Sequence, residues 1–500
     1  MASNKTLLSP LAILMLVIVL AAIATRFIPA GNYNRLSYTE GNSFVYQSLT
    51  GEQPLPFTQK TLDSLGIQIP LKNFEEGAIK KPVSVPGTYK TQASNPQGLL
   101  AILQAPIKGI YESIDIILFV LMIGGFMQLF NESGVTIKGV NTLSKLMKGK
   151  ESWLIIILGF LFTLGGASYG MAEEGMAFYA ILIPIFLAAG YDMLVPVAVI
   201  FGGTQLGTLA SFSNPFSTII ASNAAGINWT DGVIERIVMF ALTGIIYIAY
   251  IVRYANKVKK DPTKSLVYGM DLKGFSLLPT QNSSPATTPL HSKDKLLLLL
   301  FFATFALMIY GVVSLDWWLT EMTTLFLGAS ILFAVVLGIK EKIFTEQFIK
   351  GAESLLSVAF IIGVARGVTI ILNEGQISDS IIYYAANATS GMPPALFIIT
   401  MLLMYMLFTL FISSSSGMAV LTMPIMGSLA MMVNVPGREI VNAYLFGMGI
   451  IGFITPTGLI LPALALTNVN YKAWLKFIYP FLIILIVLCA ACLVVGVTFL

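Results

Sequence analysis

Four polar islands interrupt the apolar sequence of this 500-residue chain, and their residue types could hold a small charged ligand. The densest contains Ser211, Ser213, Asn214, Pro215, Ser217 and Thr218. The others are G-G-A-S-Y-G-M-A-E-E-G at 165–175, with Ser168, Glu173 and Glu174; the run Ser413, Ser414, Ser415, Ser416; and Thr455, Pro456, Thr457, Gly458. Pro215 lacks a backbone donor and biases Asn214 away from helical angles, so a helix should break there. In hydrocarbon, irregular backbone is tolerated only inside protein or beside a wet cavity. A break exposes carbonyls that can hold Na+ and amides that can hold an anion, and the hydroxyls of Ser213, Ser217 and Thr218 add neutral oxygens. Thr455, Pro456, Thr457 and Gly458 offer the same chemistry. The bland alternative is a proline kink satisfied by neighbouring serines.

Candidate substrate contacts are therefore Ser168, Glu173, Glu174, Ser213, Asn214, Ser217, Thr218, Ser413, Ser414, Ser415, Ser416, Thr455 and Thr457. Candidate Na+ ligands are Ser213, Asn214, Ser415, Thr455 and Thr457, and Pro215, Pro456 and Gly458 are the structural breaks. A carboxylate at the centre of a membrane helix costs on the order of 3 kcal/mol, so Glu173 and Glu174 should face a cavity. One could bind a cation, carry a coupling proton, or form a buried bridge to Arg366, the lone basic residue between Phe360 and Leu372.

The elements that carry these residues must be membrane helices. The chain is 56% hydrophobic and 11% charged, against roughly a quarter charged in soluble proteins. Apolar windows near 20 residues recur, each able to cross a bilayer, and the period-two alternation of a barrel is absent. The net charge of +4 fits cytoplasmic loops rather than nucleic-acid binding. Cys489 and Cys492 lie in the last apolar segment and point to neither disulfide nor metal.

The expected organisation is a first transmembrane helix (1–30), an external loop (31–97) with some β structure, a first repeat (98–253), a cytoplasmic linker (254–294) and a second repeat (295–500). From Arg253 to Lys295 eight Lys or Arg stand against three Asp, which places the linker inside. The repeat is read from E-G-M-A-F-Y-A-I-L-I-P, S-N-P-F and I-N-W in the first half against S-G-M-A-V-L-T-M-P, I-T-P-T and V-N-Y in the second. Pro184 to Pro215 spans 31 residues and Pro424 to Pro456 spans 32. Upstream, N-E-S-G at 131–134 answers N-E-G at 373–375; the loop after the first carries Lys138, Lys145, Lys148 and Lys150, and the loop after the second, to Pro394, has no Lys or Arg. One copy is therefore upside down, the arrangement in which secondary transporters build midplane sites.

Residues 165–175 and 412–417 should be tips of re-entrant hairpins, the first with arms Trp153 to Leu164 and Met176 to Ala189; two ordinary spans are the alternative. Trp153 and Trp474 fall at inner boundaries, and Trp229, Trp317 and Trp318 at outer ones. An enzyme is not expected: the only histidine, His291, lies in the linker, no intramembrane lysine could serve a serine nucleophile, and no phosphate-binding G-x-x-x-x-G-K-[ST] loop occurs. A channel using the same polar tips is the competing function.

At M-A-E-E-G-M-A-F-Y (171–179), S-N-P-F-S-T-I-I-A-S-N-A-A-G-I (213–227), S-S-S-S-G (413–417) and T-P-T-G-L-I-L-P (455–462) the chain resembles the anaerobic C4-dicarboxylate carrier family, most closely its YfcC-like branch, within the ion-transporter superfamily. The resemblance implies an all-α polytopic protein of about eleven transmembrane helices plus two re-entrant hairpins, divided into scaffold and transport domains. It further implies a homodimer and elevator-type movement; the charge pattern puts the N-terminus in the cytoplasm and the C-terminus outside a bacterial inner membrane, and the expected activity is secondary transport without a cofactor, coupled to Na+ or H+ or to exchange. Related groups carry Ser-Asn-Thr at their hairpin tips, where this chain has Ala-Glu-Glu-Gly and Ser-Ser-Ser-Ser-Gly. Other members of the family resemble arginine/ornithine exchangers, which makes an amino acid a candidate substrate beside an organic acid.

Overall fold

The computed structural model describes residues 9–39, 43–49, 51–75, 79, 82–135, 138, 149–270, 291–315, 317–389, 391–412 and 414–499. Ser413, Lys145, Lys148 and most of the linker beyond Met270 lie outside the described residues. Among the described residues, seven helices are long and apolar enough to cross a membrane, and two shorter apolar helices, Pro10–Ala24 and Leu194–Leu209, accompany them.

The segment after the first helix folds into β structure. Strands Gly51–Pro56, Ser43–Ser48, Arg35–Thr39 and Val83–Ser84 form an antiparallel sheet in that spatial order, and Gly31–Asn32 pairs with Lys90–Thr91. Pairing turns one face inward, so Phe44 is fully buried against Phe57 and Phe74, with ring centroids 4.8 and 5.2 Å away. The sheet is fastened to the helix Ser378–Thr389. The Asp379 carboxylate, 2% exposed, accepts from the Tyr33 backbone amide at 2.8 Å and from the Arg35 guanidinium at 2.6 and 2.8 Å. Burial, with Asp379 next, pushes the Tyr33 hydroxyl above its ordinary range.

The helices pack in two groups. In the first, Leu356–Glu374 lies against Leu99–Glu112 and Pro10–Ala24, while Ile114–Glu132 packs on Leu319–Leu337 and Glu341–Ser354. In the second, Glu151–Ser168 packs on Leu194–Leu209 and Val233–Lys260, and Pro394–Phe411 packs on Gly437–Gly452 and Tyr471–Phe499. Small residues let backbones meet where lipid supplies no hydrophobic drive for association. A Cβ on Gly109 would stand 2.1 Å from the Gly363 carbonyl, and one on Gly166 would stand 2.2 Å from the Thr204 carbonyl. Between the groups, Leu356–Glu374 touches Ile460–Thr467, and the turn Glu173–Phe178 touches Ile114–Glu132.

Three sequence expectations change. The first hairpin arm runs as a helix from Glu151 to Ser168, past Leu164, because its glycines sit against the Leu194–Leu209 helix and its hydroxyls bond back to their own turn, Thr163 to the Gly159 carbonyl and Ser168 to the Leu164 carbonyl. Trp474 is not an interfacial ring: it is fully buried and its indole N–H donates to the Phe453 carbonyl at 2.8 Å. Arg366 is not a buried charge paired with Glu173 or Glu174. Its side chain is 32% exposed and bridges Glu112 at 3.0 Å, because the amphipathic helix Leu99–Glu112 lies along that face.

Candidate functional site

The polar islands fall at two interrupted helices and at the turns of two helix–turn–helix segments. The helix Leu194–Leu209 stops, Asn214 is extended with φ −60° and ψ 118°, and helical structure resumes at Pro215. Later, Gly437–Gly452 stops, and Ile460–Thr467 begins after an irregular stretch that holds Pro456 and Gly458. The two broken helices touch directly, with the Gln205 amide donating to the Gly449 carbonyl at 3.1 Å.

The first hairpin returns to its starting level. Glu151 at its beginning bridges Lys259 at 2.8 Å, and Tyr191 at its end lies under the same ammonium, 5.7 Å from ring centroid to nitrogen. Its polar tip therefore sits at the far end of both arms. There the chain after Ser168 folds over the first break. Phe212 and Ser213 amides donate to the Ala167 carbonyl, both at 3.3 Å, the Ser213 hydroxyl to the Ser168 carbonyl at 3.1 Å, and the Asn214 side-chain amide to the Gly166 carbonyl at 3.0 Å.

Asn214 is the hub of this knot. It is 2% exposed, and its side-chain oxygen caps the resumed helix by accepting from the Phe216 and Ser217 amides at 2.9 and 3.2 Å. Ser211 and Thr218 share a hydroxyl hydrogen bond across the break. Ser217 differs from Ser211, Ser213 and Thr218: its hydroxyl is fully buried and has no hydrogen-bond partner among the described residues. A buried orphan hydroxyl carries a desolvation cost that a ligand oxygen or cation would remove.

The second hairpin has arms Pro394–Phe411 and Ser415–Met432, and its tip reaches both breaks. The Ser415 hydroxyl donates to the Phe216 carbonyl at 3.3 Å, and the Ser415 carbonyl accepts from the Tyr444 hydroxyl at 2.9 Å. On the other side, Thr457 donates to the Leu410 carbonyl at 3.5 Å and pairs with Thr455 at 2.9 Å. Two carbonyls at the second break are already taken, Phe453 by Trp474 and Ile454 by the Tyr471 hydroxyl. The threonine hydroxyl pair beside Leu410 offers a cation neutral oxygens there.

Hydrogen bonds thus divide the sequence-predicted residues into two clusters. Ser168, Ser213, Asn214, Ser217 and Thr218 belong to the first break, Thr455 and Thr457 to the second, and Ser415 stands at the junction. Ser414 caps the second arm by accepting from the Gly417 amide at 3.1 Å. Ser168 spends its hydroxyl on the Leu164 carbonyl at 2.6 Å and serves the knot through its backbone. Glu174, 8% exposed, accepts from the Ala172 amide at 2.9 Å; Glu173 lies beside it in the turn that meets the Ile114–Glu132 helix. Sequence reasoning missed the carbonyls of Gly166 and Ala167, because every residue has one, and Tyr444, whose distance from Ser415 in the chain hides their contact. It also missed Trp318, whose ring packs on Phe216 with centroids 4.6 Å apart.

Residues 7–498 match the family described as C4-dicarboxylate anaerobic carrier. An uncharacterized protein of Haemophilus influenzae is 39% identical over 493 residues, 98% of this chain and 97% of its own length. A protein of Escherichia coli described as a putative basic amino acid antiporter, YfcC, is 31% identical over 376 residues, 73% of this chain and 74% of its own. Among solved structures, MtrF of Neisseria gonorrhoeae aligns over 99% of this chain and 96% of its own at a TM-score of 0.39 and 16% identity. YdaH of Alcanivorax borkumensis aligns over 98% and 99% at 0.41 and 13%.

Proposed function

Since the chain belongs to the C4-dicarboxylate anaerobic carrier family, in its YfcC-like branch, we propose that it is a secondary active transporter of a small carboxylate-bearing metabolite, an amino acid or organic acid, driven by Na+ or H+ or by exchange. The observation that carries this reading is the meeting of two hairpin tips with two helix breaks, joined where Ser415 bonds the Phe216 carbonyl. Such a junction concentrates partial charges of both signs away from bulk water, which is what a carrier needs to hold an ion and an anionic group together.

In this reading the substrate carboxylate lies at the junction against the Ser217 hydroxyl and the Ser415 tip. Na+ has neutral oxygens available at Thr455, Thr457 and Leu410, a donor set that suits a hard cation. Glu173 and Glu174 would then receive an ammonium group or a coupling proton at the boundary between the helix groups. The basic amino acid named for the Escherichia coli relative favours the amino-acid arm. The helix group holding both hairpins is the transport domain, the group around Ile114–Glu132 the scaffold, and the two halves are inverted repeats. The grouping of contacts supports elevator motion of one against the other, in a homodimer of the bacterial inner membrane with the N-terminus inside.

The test is counterflow. Purified protein in sealed vesicles, preloaded with unlabelled basic amino acids or C4-dicarboxylates, should accumulate the labelled form transiently, and imposed Na+ or pH gradients should show which ion drives uptake. Voltage-driven, non-saturating flux without counterflow would establish a channel instead.

A further inference from the structure

A cleft of about 520 Å³ opens at the root of the first hairpin, between the start of Glu151–Ser168 and the end of Val233–Lys260. Lys150, Lys259, Lys260, Trp153, Tyr191 and Asn256 line it. The one carboxylate among its described lining residues, Glu151, is occupied by Lys259 at 2.8 Å. Lys150 and Lys260 are exposed, and neither forms an ion pair among the described residues. The acidic neighbour Asp261 is held by Lys264 at 3.2 Å. Trp153 at the cleft's edge is 56% exposed.

Lysines in the last turn of a helix commonly do no more than complement its dipole, and Lys257, Lys259 and Lys260 stand in that position. That account does not cover Lys150, which precedes a different helix and still faces the same opening. An unpaired cation from each of two helix ends, a void between them and an exposed indole at the rim make a receptor for a phosphate at the membrane surface. Aromatic rings settle at headgroup level, and basic pockets between membrane helices take anionic headgroups.

We propose that this cleft binds the phosphate of an anionic lipid headgroup, with Lys150 and Lys260 as its cationic partners and Trp153 packed at the boundary with the acyl chains. The inference rests on the chain's place in the bilayer and not on what it transports. Both ends of the hairpin meet Lys259 beside this cleft, so a bound lipid would brace the root of the hairpin that carries the Ser168 tip.

Native mass spectrometry of the full chain in detergent, mixed with phosphatidylglycerol or phosphatidylcholine, tests this directly. Wild type should retain phosphatidylglycerol preferentially, and Lys150→Gln with Lys260→Gln, which spares the Glu151 to Lys259 bridge, should lose about tenfold in retention. Lys150→Arg with Lys260→Arg should keep it, and single Gln variants supply the comparison if the double variant does not fold. Inorganic phosphate is the second arm. Displacement of lipid by phosphate in wild type would show that the site also takes the free anion, and absence of displacement would assign it to lipid. Equal retention of both lipids by wild type, or undiminished phosphatidylglycerol in the folded Gln variants, overturns the proposal.

Discussion

Ser415 and Phe216 are 199 positions apart, yet the hydroxyl of one donates to the backbone carbonyl of the other at 3.3 Å. This bond is where the polar tip of one half meets the helix break of the other. Ser415→Ala should lower uptake about tenfold, chiefly through KM, if the junction holds substrate, whereas Ser415→Thr should retain most activity because it keeps the donor. Labelled uptake in vesicles measures both, and a wild-type Ser415→Ala variant would detach this junction from transport.

Asn214 connects the break to Gly166 and caps the helix that restarts at Pro215. Asn214→Ala should abolish transport and also cost stability, about 1 kcal/mol for the lost cap. Asn214→Ser keeps a capping oxygen but is too short to donate to Gly166, so it should remain more stable than the alanine variant and still transport poorly. Thermal unfolding in detergent beside an uptake assay separates the two effects.

Glu173→Gln and Glu174→Gln remove charge with little change in shape. If this pair receives a proton or an ammonium, each variant should flatten the pH dependence of uptake or change its cation requirement. Two profiles identical to wild type would leave the carboxylates as structural groups of the turn.

Breaking the clasp between the sheet and the helix Ser378–Thr389 should loosen the external segment. Asp379→Ala leaves Arg35 without its partner and should cost about 3 kcal/mol, the usual penalty for halving a buried ion pair. Hydrogen exchange across residues 31–39 and 83–91 should rise in that variant. Unchanged protection would mean that the aromatic stack of Tyr89 on Tyr383, centroids 3.9 Å apart, holds the sheet by itself.

Gly166 and Gly207 form a seam where backbone meets backbone. Gly207→Ala would push a methyl to 2.1 Å from the Thr163 carbonyl, which neither helix can yield without shifting. The variant should lose about 1–3 kcal/mol and, because the seam adjoins the hairpin tip, lose uptake in proportion. Gly244→Ala, with open space around its Cβ position, is the control that should behave as wild type.

The sequence by itself determined the membrane-helical class, the two interruptions near Pro215 and Pro456, and the family, because those are local properties: hydropathy over some twenty residues, a proline's missing donor, a run of motif residues. Asn214-Pro215 and Thr455-Pro456 mark irregular backbone together with the polar residues around them, whereas Pro184, Pro424 and Pro480, in apolar surroundings, lie inside helices. Only the tertiary structure decided which polar groups are already spent. Trp474 and Tyr471 occupy two carbonyls of the second break, Glu112 holds Arg366, and the buried Ser217 hydroxyl has no hydrogen-bond partner among the described residues. A hydrogen bond between distant residues saturates donors and acceptors without leaving a trace in either local sequence. Composition could therefore nominate the oxygens of the site, while packing determined which of them remain available to a ligand.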